Sequence, residues 1–345
     1  MTDSGNILRL GIVGCGAITR EGHLPELLQF PNIDVRFLCD TTYEYAELAQ
    51  LEFGLDAEIT NDISDFSNLV DCALVAVPPR LHAPISMRLM QMGIDVMCEK
   101  PTADEADQAQ RMVDEAAKLE RILSVGLTTR FHRNNRILKA LVSGGELGDI
   151  VEVVGEMGAP LDWTMTTDAY YNRNTTAGGV FYDVGVHMLD RIIWLLGDLD
   201  NLNYEDDSYG GVESNGILTA DLTLHKGTVP FRGCFSWTHM LDNCVRIVGT
   251  EAIAEARLDD PDHVYLQRRV GDSSFEMVVS PATAEADELT PLAEQWQDFL
   301  ESVVNRTPSR AAADTTIRAL QVIEEAYRIR THMAQPWVET GRSAI

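Results

Sequence analysis

Five short apolar runs in the first third of the chain, Ile7 to Val13, Val35 to Cys39, Cys72 to Val77, Asp95 to Cys98 and Ile122 to Gly126, are separated by stretches long enough to form helices. Apolar strands joined through helices pair side by side in a parallel sheet that helices cover on both faces. The clearest crossover is Ala103 to Glu120, where Ala106, Ala109, Met112, Val113, Ala116 and Leu119 recur every three or four residues. Asp and Glu near its start suit the positive end of a helix. Residues 1–127 are therefore expected to form a doubly wound α/β domain.

After Phe131 the pattern changes. Asp149 to Glu156, Gly216 to Leu224, Val229 to Trp237, Asn243 to Val248, His263 to Val270 and Phe275 to Val279 read as strands that follow one another with turn signals and few helices. This predicts an open, mostly antiparallel sheet. His225-Lys226-Gly227-Thr228 fits a hairpin turn, and Glu205 to Gly211 reads as a mobile loop. Two helices are expected near Pro291 to Val304 and Asp314 to His332. At 345 residues the chain exceeds one ordinary core of roughly 100–200 residues, so 128–345 is taken as a second, α/β domain.

The charge balance excludes several partners. With 54 acidic against 27 basic residues the formal net charge is −27, a field that repels nucleic-acid backbones and anionic membrane surfaces. The first residues, Met-Thr-Asp-Ser-Gly-Asn, carry neither a basic region nor an apolar core, and no run of about 18 apolar residues follows. We expect a soluble, cytoplasmic protein with no nucleic-acid or membrane partner. Only four lysines stand beside 23 arginines, which fits either adaptation to a salty cytoplasm or compositional drift; melting curves at low and molar salt separate the two. The six cysteines include no CxxC pair and read as buried reduced thiols rather than disulfides or metal ligands.

Three motifs carry chemistry. Gly11-Ile12-Val13-Gly14-Cys15-Gly16-Ala17-Ile18 leads from the first strand into a helix, where glycines let the backbone approach a pyrophosphate and the helix start offers unpaired amides. Asp40 ends the second strand, positioned to bind ribose hydroxyls and to repel a 2′-phosphate, so NAD is favoured over NADP. Thr19 stands where the usual pattern has Gly or Ala. The alternative is a structural Gly-rich turn.

The second motif, Glu99-Lys100-Pro101, places an acid and a base at the carboxyl end of a buried parallel strand, on a turn stiffened by proline. Val77, Pro78 and His82 end the neighbouring strand and read as lining the cofactor, although a histidine there also suits a structural helix start. The third is the helical stretch Gly178 to Leu196. At about 100° per residue, Asp183, His187, Asp190 and Trp194 fall within a sector of about 60° on an otherwise apolar helix. The stripe is either an acid-base pair in a polar cleft or a solvated face. No third ligand clusters there, so no metal is expected.

In this order the motifs resemble the Gfo/Idh/MocA family of glucose-fructose oxidoreductase-like and inositol dehydrogenase-like proteins. The resemblance spans nearly the whole chain, and adds Gly126 to Phe131 and Gly148-Asp149-Ile150 to the segments above. It implies a Rossmann domain, a second domain whose open sheet forms dimer or tetramer contacts, and NAD(P)-dependent oxidation or reduction of sugars, cyclitols and related polyols. By matching positions it implies Lys100, Asp183 and His187 as the catalytic group. His187 would move the hydroxyl proton, Asp183 would hold His187 or a neighbouring hydroxyl, and Lys100 would stabilise the alkoxide. For the cofactor it implies Gly14, Gly16, Ala17, Ile18, Asp40, Val77, Pro78, His82, Glu99, Lys100 and Thr128. For the substrate it implies Thr129, Arg130, Trp163, Tyr170, Arg173, Asp183 and His187, with Tyr171 and Asn172 in the same loop. Two competing readings share the fold: a glycosidase that oxidises its substrate transiently with tightly held NAD, and a dinucleotide-sensing regulator, which would have no use for a proton-transfer pair.

Overall fold

A computed structural model describes residues 7–161, 176–208, 211–225, 227–270, 273–281 and 289–334. Trp163, Tyr170, Tyr171, Asn172 and Arg173, expected to meet the substrate, lie outside the described residues, as does Lys226 of the hairpin turn.

The first sheet has six parallel strands, β1 (Leu8–Val13), β2 (Ile33–Cys39), β3 (Glu58–Thr60), β4 (Cys72–Val75), β5 (Asp95–Cys98) and β6 (Leu123–Val125), in the order β3-β2-β1-β4-β5-β6. Strands β4, β5 and β6 are buried throughout, which is why the sequence shows unbroken apolar runs there. The order reverses between β1 and β4, and in a sheet of this kind the crevice beyond the strand ends at that reversal is where ligands bind. The crossover read from Ala103 to Glu120 forms a helix over Ala106–Leu119. The short β3 was not legible: its one buried residue, Thr60, gives no apolar run.

The second sheet has nine strands: β7 (Ile150–Gly158), β8 (Asp198–Asp206), β9 (Asn215–Leu224), β10 (Gly227–Ser236), β11 (Cys244–Gly249), β12 (Ala252–Arg257), β13 (Val264–Val270), β14 (Ser273–Val279) and β15 (Thr331–His332). Their order is β14-β13-β12-β11-β7-β10-β9-β8-β15. The sheet is mixed rather than simply antiparallel, since β7 pairs parallel with β10 and β8 with β15. The expected hairpin joins β9 to β10, with Leu224 opposite Gly227. Gly227 sits at φ +137°, a conformation that side chains disfavour.

The loop expected over Glu205 to Gly211 needs correction, because Glu205 and Asp206 end β8 and Asp207 accepts hydrogen bonds from Ser214 N, Asn215 N and Asn215 Nδ2. The acidic sequence hid a strand whose inward positions are Leu199, Tyr204 and Asp206.

Helices cover the sheets as the apolar spacing requires. The helix Gly185–Leu195 packs on β7 and β8, and the helix Ile317–Ile329 packs on β8. The helix Pro291–Asn305 crosses back to the first sheet, where Trp296, Phe299 and Leu300 share one apolar cluster with Leu8, Leu10, Ile12, Leu24 and Leu27. The second half of the chain thereby supplies part of the first sheet's core.

Candidate active site

The Gly-rich loop is built for close approach. Gly14 has φ +94°, and a Cβ there would lie 2.2 Å from the Ala76 carbonyl oxygen and 3.1 Å from a methyl of Val77. This close packing sets the start of the Val77-Pro78 segment against the loop. A Cβ on Gly16 would meet nothing within 4 Å, so open space faces the loop there. Thr19, the departure from the usual pattern, is buried and donates its hydroxyl to the Gly14 carbonyl at 2.6 Å, buttressing the loop from behind. Asp40, half-buried, accepts from Cys15 N and Thr42 N, both at 2.8 Å. Ala17 is buried and Ile18 half-buried where a π-helical turn, Ile18–His23, begins. The open cradle and the carboxylate at the end of β2 fit a dinucleotide.

At the end of β5, Glu99-Lys100-Pro101 turns through a cis Lys100–Pro101 bond. The Lys100 ammonium donates to Asp183 Oδ1 at 2.6 Å and to the Asp183 carbonyl at 3.0 Å, with both side chains about one-fifth exposed. Glu99 is deeply set and accepts from the Lys100 amide at 3.0 Å and from His23 Nε2 at 2.8 Å. Burial pushes its carboxyl up, but the bond from His23 and the charge of Lys100 outweigh this and hold it below the usual range. Gly126, on β6's exit, leaves room for that carboxylate, since a Cβ there would lie 2.6 Å from Glu99 Oε1.

The stretch read as one helix from Gly178 to Leu196 is two, Val180–Asp183 and Gly185–Leu195, broken at Val184. The predicted polar stripe is divided accordingly. Asp183 faces Lys100, Asp190 is buried against Arg130, and Trp194 lies under the Lys139 ammonium at 4.3 Å from the ring centroid. Of the two roles expected for Asp183, no hydrogen bond to His187 is formed among the described residues, and Oδ1 accepts from Lys100. The glycine pair that opens the segment is required by contact, because a Cβ on Gly178 would lie 2.0 Å from the Tyr327 hydroxyl and one on Gly179 2.0 Å from the Glu213 carbonyl. Glu213, buried and unforeseen from sequence, accepts from Gly179 N, Phe181 N and the Tyr327 hydroxyl, all on Oε1. It thereby fixes the short helix that ends in Asp183.

His187 is held neutral. Burial first, and then the charge of Lys100, push it down to about 3, against the opposing pull of Asp183 and Glu99. Its Nδ1 is buried with no hydrogen-bond partner among the described residues, as are the Thr129 hydroxyl and His132 Nδ1. Burial, then Arg191, push His132 down to about 4. These groups suit a bound polar molecule or water, since a buried polar atom left alone is costly.

Two expected contacts are corrected. Arg130, expected at the substrate, is 1% exposed. It donates bidentately to Asp190 at 2.5 and 2.7 Å, and also to the Arg310 carbonyl, the Thr315 hydroxyl and the Thr315 carbonyl, so no donor direction is left for a ligand. Its work is to clamp the turn Thr128–Phe131 to the helix that carries His187. His82, expected at the cofactor, is fully buried with Nδ1 and Nε2 each 2.8 Å from a carbonyl oxygen, of Pro101 and Val77. A neutral imidazole donates to only one of the two, and with both ring nitrogens set against main-chain carbonyls His82 has no polar atom free for a cofactor. Thr128 is half-buried, and its hydroxyl donates to Gln295 Oε1 at 3.0 Å. Among the described residues, no three His, Cys, Asp or Glu converge as metal ligands, and no helix is long and apolar enough to cross a membrane.

Residues 8–127 match the model of an oxidoreductase family with an NAD-binding Rossmann fold, and residues 135–255 match the Gfo/Idh/MocA C-terminal domain. The chain is 29% identical over 196 residues to a D-glucoside 3-dehydrogenase of Escherichia coli (strain K12), covering 55% of this chain and 54% of that protein. Over 199 residues it is 31% identical to an inositol 2-dehydrogenase of Burkholderia vietnamiensis, covering 55% of each. The chain thus spans about half the length of these curated relatives. A 3-ketoreductase from Actinomadura kijaniata, solved in complex with NADP and TDP-benzene, has a TM-score of 0.81 at 20% identity, covering 95% of this chain and 99% of that one. At that identity the likeness is one of fold.

Proposed function

Because the chain belongs to the Gfo/Idh/MocA oxidoreductase family, we propose that it is an NAD(P)-dependent dehydrogenase or reductase acting on a CH–OH carbon of a sugar, cyclitol or related polyol. The observation that carries this reading is the Lys100 ammonium tied to Asp183 beside a neutral histidine, at the carboxyl edge of the first sheet. Gly14, Gly16, Ala17, Ile18 and Asp40 would hold the dinucleotide, with NAD favoured because the Asp40 carboxylate repels a 2′-phosphate. A bound nicotinamide supplies the hydride acceptor or donor.

The chain's own residues handle the proton and the charge. His187, neutral, takes the hydroxyl proton when the alcohol is oxidised and returns it when the carbonyl is reduced. Lys100 donates to the same oxygen and stabilises alkoxide charge as it develops. Asp183 aims the ammonium through its carboxylate and its carbonyl. Thr129, whose hydroxyl has no partner among the described residues, is read as a substrate contact. Trp163, Tyr170 and Arg173 keep the same reading from sequence, as aromatic and fork-like groups suited to hydroxyl-rich rings. We read residues 1–127 as the cofactor domain and 128–345 as the substrate domain, in a cytoplasmic homodimer or homotetramer, whose mass light scattering measures.

The test is a panel of inositols, aldoses and polyols with NAD and NADP in parallel, followed by absorbance of the reduced cofactor. Net reduction of NAD by a member of the panel is the expected result. Glycoside cleavage without net reduction would replace this reading with the glycosidase, and dinucleotide binding without any turnover would replace it with the sensor.

A further inference from the structure

Lys100 is held from behind by a hydrogen-bonded chain that begins in the C-terminal half. The Trp296 indole N–H donates to His23 Nδ1 at 3.1 Å, and His23 Nε2 lies 2.8 Å from Glu99 Oε1. An indole nitrogen can only donate, so His23 Nδ1 accepts and the ring proton sits on Nε2, from which it donates to Glu99. The other Glu99 oxygen accepts the Lys100 amide at 3.0 Å. His23 and Trp296 are both 0% exposed, and their rings meet edge to face with centroids 5.6 Å apart. Buried chains of this kind fix geometry when each member is satisfied.

We propose that His23, locked in one tautomer by Trp296, is a positioning residue for Lys100: it fixes the Glu99 carboxylate, which fixes the backbone from which the ammonium reaches Asp183. This deepens the functional reading above, on which it rests for the role of Lys100. The chain joins three distant elements. His23 ends the π-helical turn that follows the Gly-rich loop, Glu99 directly follows β5, and Trp296 lies in the helix Pro291–Asn305. The segment that cradles the dinucleotide and the segment that bears the amine are thereby set in register by one imidazole. His82 Nδ1 packs 2.8 Å from the Pro101 carbonyl oxygen, against the third residue of the same tripeptide.

The test compares His23→Leu, which removes the donor, with His23→Gln, which can offer an amide N–H near the Nε2 position, and with Trp296→Phe, which keeps the ring packing. The chain has only four lysines, so trace acylation followed by peptide mass analysis reads Lys100 against the exposed Lys118 and Lys139. In His23→Leu and Trp296→Phe, Lys100 labelling should rise about fivefold relative to those two, roughly what one lost hydrogen bond is worth. In His23→Gln it should stay near wild type. Turnover in His23→Leu should fall about 10- to 100-fold through kcat, with KM and NADH binding by fluorescence little changed, and His23→Gln should recover most of it.

Unchanged Lys100 labelling in both His23→Leu and Trp296→Phe overturns the proposal, as does a Gln variant as impaired as the Leu variant. Should His23→Leu fail to fold, Trp296→Phe decides alone. A wild type with no turnover on any polyol removes the functional reading instead, while the labelling ratio still decides whether His23 holds the lysine.

Discussion

Lys100 and Asp183, 83 residues apart in sequence, meet twice: the ammonium donates to the carboxylate at 2.6 Å and to the backbone carbonyl of the same residue at 3.0 Å. The second bond means that the lysine reads the position of the helix end as well as the charge. Replacing Lys100 by Met or His187 by Ala should lower turnover about 100-fold or more with NAD binding nearly intact, the usual size of acid-base contributions. Asp183→Asn keeps the carbonyl contact and loses the charge, so its loss should be smaller than that of Lys100→Met. Steady-state kinetics with equilibrium NADH titrations measure all three, and unchanged turnover in both the Lys100 and the His187 variants would refute the site.

The Arg130–Asp190 pair is fully buried, and burial raises the Asp190 carboxyl despite the two bonds from Arg130. Removing one partner leaves a buried charge alone. Arg130→Ala should therefore cost about 3–5 kcal/mol in urea unfolding. Arg130→Lys should not restore it, because an ammonium cannot replace a planar fork that also reaches the Arg310 and Thr315 carbonyls. Were Arg130 instead a substrate contact, Arg130→Ala would raise KM and leave the unfolding midpoint unchanged.

Two depressed histidines set the acid side of stability. His187 is held at about 3 and His132 at about 4, whereas an unfolded histidine titrates near 6.5. Between those values the unfolded chain binds protons that the folded chain refuses. Stability is thus full above about pH 6.5 and falls as pH drops, on the order of 1.4 kcal/mol per pH unit for each histidine. Asp190 and Glu213, raised by burial, act in the opposite sense through the carboxylate range, so the informative quantity is a difference. His132→Asn should flatten the slope between pH 6 and 4.5 relative to wild type in urea midpoints taken at each pH. Parallel slopes would show that His132 titrates normally.

Much of this was legible in the residues. The parallel sheet announced itself because β4, β5 and β6 are buried on both faces and must be apolar, and the Gly-rich loop because close backbone approach excludes side chains. β8 and β12 stayed hidden: the first is rich in Asp and Asn, the second is Ala-Ile-Ala-Glu-Ala-Arg, and only pairing with neighbours makes them strands. Arg130 was misread because motif position cannot tell an arginine facing a cleft from one facing a buried aspartate 60 residues away. His23 offered a weak signal, as the one histidine in the helix after the loop. Its partner Trp296, 273 residues on, offered none, since nothing local marks a long-range hydrogen bond.

On the proposed reading, cofactor choice turns on Asp40. Its carboxylate already accepts the Cys15 and Thr42 amides, which fixes it at the end of β2, and each oxygen keeps lone-pair directions for ribose hydroxyls. A 2′-phosphate placed there would meet that fixed negative charge in a chain that already carries −27. The wild type should therefore prefer NAD over NADP in kcat/KM by about tenfold or more, the repulsion of one close charge pair at partial exposure. Asp40→Ser should erase most of that preference, because the repulsion of the 2′-phosphate vanishes while NAD loses an acceptor for its ribose hydroxyls. Adding Thr41→Arg should then turn the preference toward NADP by supplying a fork for the phosphate. Equal use of both cofactors by the wild type, or a preference untouched by Asp40→Ser, would mean that the ribose is bound by another part of the loop.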